Sequence, residues 1–327
     1  MKHPLPTPRR RDQRGAALLL AMIILTMVVT VTAGMVWQQS RAVEVEAAER
    51  ARLQAAWILG GALDWARLIL REDQRSNQRG RNVDALDEPW ATPLAEARLS
   101  TFLAADKDNT VDGGLEAFLS GAIVDAQSRY NLRGLVDGAG KPVPAQAAAL
   151  QRLCQLAGVP GETADLIVAG LAAEAPAGGS TESRPLRPTQ LADLAWLGIE
   201  PASIERLAPW VDLLPVATPV NVNTAPREVL VAAIDQLDLG SAERLLQQRQ
   251  RKPFASIEEI KAALPEGAVV DAARIGVGSS FFEVSGRLRL EERVLEERSL
   301  LQRRPGAGGG EVVVLRRERR SFVAGPQ

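Results

Sequence analysis

The sequence predicts an α+β fold: one long N-terminal helix packed on an antiparallel sheet, with a large all-helical domain inserted between the strands of that sheet. Three observations lead there. An uncharged run over 16–37 continues without proline into an amphipathic stretch over 38–72. Apolar and polar residues alternate with period two near 119–136 and again after 279, and short helical patterns fill the chain between. Each group of strands alone is too small to bury a face securely, whereas together they make a sheet of about four or five strands.

Composition narrows the function before any motif is read. Of 327 residues, 46% are hydrophobic, which is globular rather than disordered, and a net charge of -1 supplies no field to draw in nucleic acid. The single cysteine, Cys154, excludes an intramolecular disulfide framework and a thiolate zinc cluster; its setting, ALQRLCQLAG, reads as an apolar helix face. The single histidine, His3, lies ahead of the apolar run, which removes serine-histidine and cysteine-histidine catalysis and histidine metal sites. An enzyme is not expected.

The first element begins with the uncharged run over 16–37. About 22 residues rising 1.5 Å each cover about 33 Å, the thickness of a bilayer's hydrocarbon core. Lys2, Arg9, Arg10, Arg11 and Arg14 precede the run and Trp37 closes it, so the N-terminus is expected in the cytoplasm and the remainder exported. A cleavable secretory signal, with an apolar stretch of about 7 to 15 residues, fits less well. Beyond the span, Ala47, Ala51, Ala55, Ile58, Ala62, Trp65 or Ala66, and Ile69 recur at three- and four-residue steps, the stripe of a helix expected to end near Glu72.

Residues 73–136 read as a loop followed by the first strands. Within them LSGAIVDAQSRYNLRGLV, from Leu119, looks like two strands of a hairpin around AQSR. The inserted domain is expected over 140–278, as PAQAAALQRLCQLAG, ETADLIVAGL, TQLADLAWLG, ASIERLAPWVDLL, PREVLVAAIDQL, SAERLLQQRQ and SIEEIKAAL. Ser256 with Glu259 makes a capping box, and Thr224 with Pro226 behind it marks a helix start. Trp196 and Trp210 fall at core-like spacing. Over 279–327, FFEVSGRLRL, ERVLEERSLLQRR and EVVVLRRERR read as strands that complete the sheet, with RRERR a solvated strand end.

A short basic leader over 1–15 ending in Gly15, then an apolar helix continuing into a soluble amphipathic half, resembles type IV prepilins and type II secretion pseudopilins. The resemblance implies a prepilin peptidase that cuts after Gly15 and leaves Ala16 as the first mature residue. Most such subunits carry glutamate at the fifth mature position, where this chain has Leu20. A carboxylate inside a bilayer costs about 2.5 to 3.5 kcal/mol and is kept only where it has a partner. In pilin-like fibres the resemblance makes that partner the terminal amine of the neighbouring subunit, which a subunit with nothing above it does not need. Leu20 thus points to the minor pseudopilin K family, although a simple anchor would also have a leucine there.

Four later stretches are similar to that family in the same order: SGAIVDAQSRYNLRGL, GKPVPAQAAALQRLCQLAG, TPVNVNTAPREVLVAAI, and FASIEEIKAAL with the strands near SSFFEVSGRLRL. The resemblance implies a pseudopilin fold and a subunit at the pseudopilus tip. It implies that the subunit starts assembly with other minor pseudopilins, of I and J type, and helps to export folded proteins across the outer membrane. It further implies a single pass through the inner membrane and a periplasmic C-terminal domain. A minor type IV pilus subunit remains open as an alternative.

Two other constellations in the sequence point elsewhere. NVNTAP with its two following helices also resembles the helix-hairpin-helix module of competence-type DNA receptors, which grips phosphates through backbone N–H groups in a glycine-rich hairpin. The turn here is Leu237, Asp238, Leu239, Gly240, with an acid where glycine is wanted; Arg244, Arg249, Arg251 and Lys252 read as a solvated helix face, and no nucleic-acid partner is expected. For calcium, AADKDNTVDGG puts Asp106, Asp108, Asn109 and Asp112 in one loop of oxygen ligands, but the EF-hand glycine and glutamate are missing. Relatives in the resembled family bind calcium through an acid-rich loop in the helical insert. The corresponding AAEAPAGGSTESRP has Glu174 and Glu182 but no aspartate cluster, so no metal or other cofactor is expected.

Overall fold

Helix α1, Gln13–Arg79, runs for 67 residues. It belongs to a computed structural model that describes residues 13–80, 82–99, 117–173, 187–290, 293–306 and 310–323. The chain divides into two units, residues 1–58 and 59–327. In the first, α1 is long and apolar enough to cross a membrane, with a mean hydropathy of 2.5 over its most apolar stretch. Its polar side chains are satisfied from within: Thr26 Oγ1 donates to Ile23 O at 2.9 Å, Thr30 Oγ1 to Thr26 O at 2.9 Å and Thr32 Oγ1 to Val28 O at 2.8 Å. A hydroxyl that returns to its own helix suits surroundings without water.

In the second unit the last five turns of α1 lie on an antiparallel sheet. The strands are β1 (Leu94–Arg98), β2 (Ala117–Asp125), β7 (Phe281–Leu290), β8 (Arg293–Arg304) and β9 (Glu311–Val323), in the order β1-β2-β7-β8-β9. Leu63, Ala66 and Leu70 pack on Phe282, Val284, Leu301, Val312 and Trp90, and Trp90 meets Phe282 edge-on with ring centroids 5.2 Å apart. Burying each leucine of this stripe stabilises by about 1.5–3 kcal/mol. Gly286 lets the helix come close, because a Cβ there would stand 3.0 Å from Leu59 Cδ2. Beside it, Gly121 opposes Gly286 across the ladder, and a Cβ on Gly121 would meet Ser285 O at 2.7 Å.

The buried stripe is Ala55, Leu59, Leu63, Ala66 and Leu70; Ala55 and Ala66 were expected on it, whereas Ile58, Ala62 and Ile69 stand one step around the axis and Trp65, the alternative to Ala66, is 65% exposed. Three- and four-residue spacing alone fits two adjacent stripes, and burial follows the leucines that reach the sheet. The helix also runs seven residues beyond Glu72. Its polar last turns are held by tertiary contacts: Asp73 pairs with Arg303 at 2.6 Å, and Asn77 Nδ2 donates to Val83 O at 2.9 Å.

Between β2 and β7 lies the helical region: α2 (Pro144–Leu156), α3 (Glu162–Ala172), a 3₁₀ helix (Leu191–Leu197), α4 (Pro201–Leu207), α5 (Arg227–Ala233), α6 (Leu239–Arg251) and α7 (Ile257–Ala263). Its core gathers Leu150, Leu153, Cys154, Ile167, Leu230 and Phe254 among others, and burial pushes the Cys154 thiol up to about 11. Two short parallel pairs stitch it: β3 (Tyr130–Asn131) with β4 (Val211–Asp212), and β5 (Val220–Asn221) with β6 (Ile275–Gly276). A small cluster of Ala126, Leu214, Phe281 and Leu300 joins it to the face of the sheet turned away from α1.

Several expectations are corrected here. The segment from Leu119 is no hairpin: β2 pairs with β1 and β7, and after a 3₁₀ turn over Ala126–Ser128 the chain leaves the sheet to pair β3 with β4. Asp125 turns the chain by accepting Gln127 N at 2.8 Å, a tertiary-supported turn rather than a hairpin loop. ASIERLAPWVDLL stops as a helix at Leu207 and becomes β4, since Pro209 cannot donate in a continuing turn. Thr224 caps nothing; the helix after it starts from Pro226, and the Thr224 hydroxyl is used elsewhere. Ser256 does cap α7, but Glu259 accepts from Ala255 N rather than from Ser256 N. Trp196 is 59% exposed, because its seven-residue 3₁₀ helix buries Asp193 and Leu194 instead.

Candidate functional site

Gly15 and Ala16 stand in the first turns of α1, and Leu20 follows on the same helix with its side chain 62% exposed. A built Cβ at Gly15 would touch nothing within 4 Å. No carboxylate occurs from Ala16 to Val43, so this helix carries no acid needing a partner in a bilayer. Asp106, Asp108 and Asp112 lie outside the described residues, as do Glu174 and Glu182.

The most densely bonded polar site joins the sheet to the helical region. Asp125, at the end of β2, is buried; its Oδ2 accepts from Thr224 Oγ1 at 2.6 Å, Ser279 Oγ at 2.6 Å and Asn221 Nδ2 at 2.9 Å. Burial pushes its carboxyl above the ordinary range, against the pull of these donors. Asn221 also donates to Asp84 O at 2.9 Å, tying in the loop after α1. Asn223 reads the backbone of Phe254 in both directions: its Nδ2 donates to Phe254 O at 3.0 Å and its Oδ1 accepts Phe254 N at 2.9 Å. NVNT is therefore a clasp, its side chains spent on fastening loops, and the sequence signal was two asparagines on alternate residues between apolar neighbours.

Arg303 of β8 extends the clasp to α1. It pairs with Asp73 and Asp84, donates to Ser279 O at 2.9 Å, and lies over the Phe282 ring at 4.3 Å. Asp73, Asp84 and Glu88 bring carboxylate oxygens within 4.8 Å of one another, a donor set that suits a hard cation. That charge is already supplied by Arg303, and Glu88 is engaged with Ala85 N at 3.0 Å and Trp90 Nε1 at 2.7 Å. In this structure the set serves as a salt-bridge anchor between α1 and β8.

The helices after the clasp are likewise committed inward. Asp238 caps α6, accepting Ser241 N at 2.9 Å and Ser241 Oγ at 2.7 Å, so a carboxylate occupies the place where a phosphate would sit. Arg249 is not on a solvated face: its Nη1 donates to Val222 O and Ala225 O, both at 2.6 Å, and burial lowers its pKa to about 10. Asp235 holds Arg152 at 2.7 Å and the buried Arg274 together, and the Arg274 guanidinium keeps its carboxyl below the ordinary range. Arg244 donates to Ser241 Oγ, while Arg251 and Lys252 face solvent.

Comparison with known proteins follows the same features. A family model described as Type II secretion system (T2SS), protein K matches residues 220–278, from the clasp to the strand that returns to the sheet. Type II secretion system protein K of Pseudomonas aeruginosa is 30% identical over 319 residues, covering 90% of each chain. The protein of that name from Pectobacterium carotovorum subsp. carotovorum is 28% identical over 342 residues, 94% of this chain and 97% of the other. The fold matches a chain in the crystal structure of the GspK-GspI-GspJ complex from the enterotoxigenic Escherichia coli type 2 secretion system. That match has a TM-score of 0.63 at 21% identity, covering 83% of this chain and 98% of that one. With likeness running over nine-tenths of both chains and the family model beginning at the clasp, this chain belongs to the type II secretion system protein K family.

Proposed function

We propose that the chain is a minor pseudopilin placed at the tip of a type II secretion pseudopilus, a structural subunit that helps to start assembly and so supports export of folded proteins across the outer membrane. The observation that carries this is Leu20: an acid-free apolar helix in a chain of this family, able to end a fibre because it needs no amine above it. In this reading 16–37 holds the subunit in the inner membrane, the N-terminus is cytoplasmic and the second unit periplasmic. A prepilin peptidase removes residues 1–15 between Gly15 and Ala16. The partners are the I-type and J-type minor pseudopilins, supported by the complex in which the matching fold was solved. The DNA-receptor alternative is disfavoured by Asp238 and Arg249, whose bonding leaves no open helix N-terminus and no free arginine at the turn.

The test is the intact mass and N-terminal sequence of the membrane-extracted protein, with and without co-expressed prepilin peptidase. Peptidase-dependent loss of residues 1–15, leaving Ala16 first and the span intact, is the expected result. An uncleaved N-terminus would make the chain an ordinary anchored protein, and cleavage beyond Trp37 would make it a secreted one.

A further inference from the structure

We infer that the face of the sheet turned away from α1 carries a docking trough for an acidic, extended segment of a partner protein. The registers lay Ser120, Arg287, Glu296 and Arg320 in one row across β2, β7, β8 and β9, and Ala122, Ser285, Arg298 and Glu318 in the next. Serine and alanine on β2 and β7 leave a dent of about 300 Å³, bordered on this face by the side chains of Ser120, Ser285, Arg287, Glu296 and Arg298 and reaching the strand segments of Gly121, Gly286 and Glu297 beneath. One end is closed by the helical region, where Arg129 bridges Glu283 and Asp212 at 2.9 Å each. The other side opens along β1, a short strand with exposed residues.

Charge and shape specify the occupant. Arg287 reaches Glu296 only at 3.8 Å and lies 6.0 Å from the Phe322 ring centroid, while the side chains of Arg298 and Arg320 make no hydrogen bond or ion pair among the described residues. Glu318, the acid of the second row, is taken by Arg316 at 3.0 Å. The trough therefore has guanidinium groups in excess, and a carboxylate is the ligand their paired N–H donors fit. Val124, 46% exposed, gives the β2 side an apolar margin. From β2 to β9 is about 14 Å at the usual strand spacing, the reach of about four extended residues. Glu296 and Glu318 within the rows disfavour a dense phosphate polymer or a lipid surface and suit a polypeptide with spaced acids. Every residue of the trough belongs to the second unit and Leu20 takes no part in it, so the inference stands independently of the tip assignment.

The experiment uses the full chain in detergent micelles and, as the probe, a fluorescein-labelled eight-residue peptide of alternating glutamate and serine, followed by polarisation. Saturable binding is expected, weakened at least about tenfold by Arg298→Glu with Arg320→Glu, a loss typical of broken charge-assisted contacts. Ser285→Phe, which fills the dent without changing charge, is expected to weaken it by a similar factor. Arg206→Glu with Arg251→Glu, the same charge change on the helical region, should leave affinity within about twofold, the range of exposed charges remote from a contact. Absence of saturable binding, equal loss in this control pair, or indifference to Ser285→Phe in a protein with unchanged circular dichroism would overturn the inference. So would duplex DNA or phosphatidylglycerol vesicles binding as tightly and losing affinity in the same variants.

Discussion

Asp125 shows how a single residue joins two parts of the fold. Its carboxylate collects two hydroxyls, one amide and one backbone N–H, from residues as far away in sequence as Ser279. Asp125→Ala strands those donors in a site without water, and the expected loss is about 3 kcal/mol or more in a urea titration of the full chain in micelles. Asp125→Asn keeps the shape and should lose less. The pH dependence has a definite sign. Because burial raises the folded pKa above the ordinary value of 3.8, the native state holds a proton that the unfolded chain has released. Stability from this group is complete below 3.8 and falls as pH rises through the elevated value. The urea midpoint of wild type relative to Asp125→Asn should therefore decline from about pH 4 upward; a gap constant with pH would contradict the burial argument. None of this was legible beforehand, since Asp125 and Thr224 are 99 residues apart and neither sits in a catalytic or metal-binding pattern. Arg249 was missed for the opposite reason: its neighbours in QQRQRK look solvated, and only the tertiary approach of Val222 and Ala225 makes it an interior residue.

At the scale of elements, pattern reading succeeded where an element is long and one-sided. The three late strands and the helices from Pro144 to Ala172 lie where alternation and helical spacing put them, because each buries a continuous face. It failed where the element is short and its partner distant: β3 is two residues long and pairs with a segment 81 residues away, information that local alternation does not contain. The stripe of α1 lies between these cases, with the right period and a phase that Ala55 and Ala66 share but Ile58, Ala62 and Ile69 miss by one step. Leu63→Ala and Leu70→Ala, on the observed face, should each lose about 2–5 kcal/mol in thermal or urea unfolding. Trp65→Ala, on the face the spacing suggested, should change stability by no more than about 0.5 kcal/mol, as exposed sites do. The reverse ranking would restore the alanine stripe as the packed one.

At the scale of the whole molecule, the order of elements carried more than any motif: apolar helix, early strand, helices, late strands. That order was legible because the chain leaves the sheet after β2 and returns at β7 beside it, which period-two segments at both ends of a helical stretch reveal. Tip placement is the claim that belongs to this scale, and it turns on number as well as position. On the proposed reading each shaft copy pairs its fifth-position carboxylate with the terminal amine of the copy above it in the apolar interior; a chain with Leu20 offers no such carboxylate to a copy placed above it. Addition should therefore stop or start with this subunit, giving one copy per fibre end. The check is an epitope added after Gln327, labelled with gold on sheared pseudopili and counted against labelled major subunit. Gold confined to one end of each fibre is expected. Gold spaced along the shaft would show that the missing carboxylate does not limit addition, and the tip assignment would fall even if the leader is cut at Gly15.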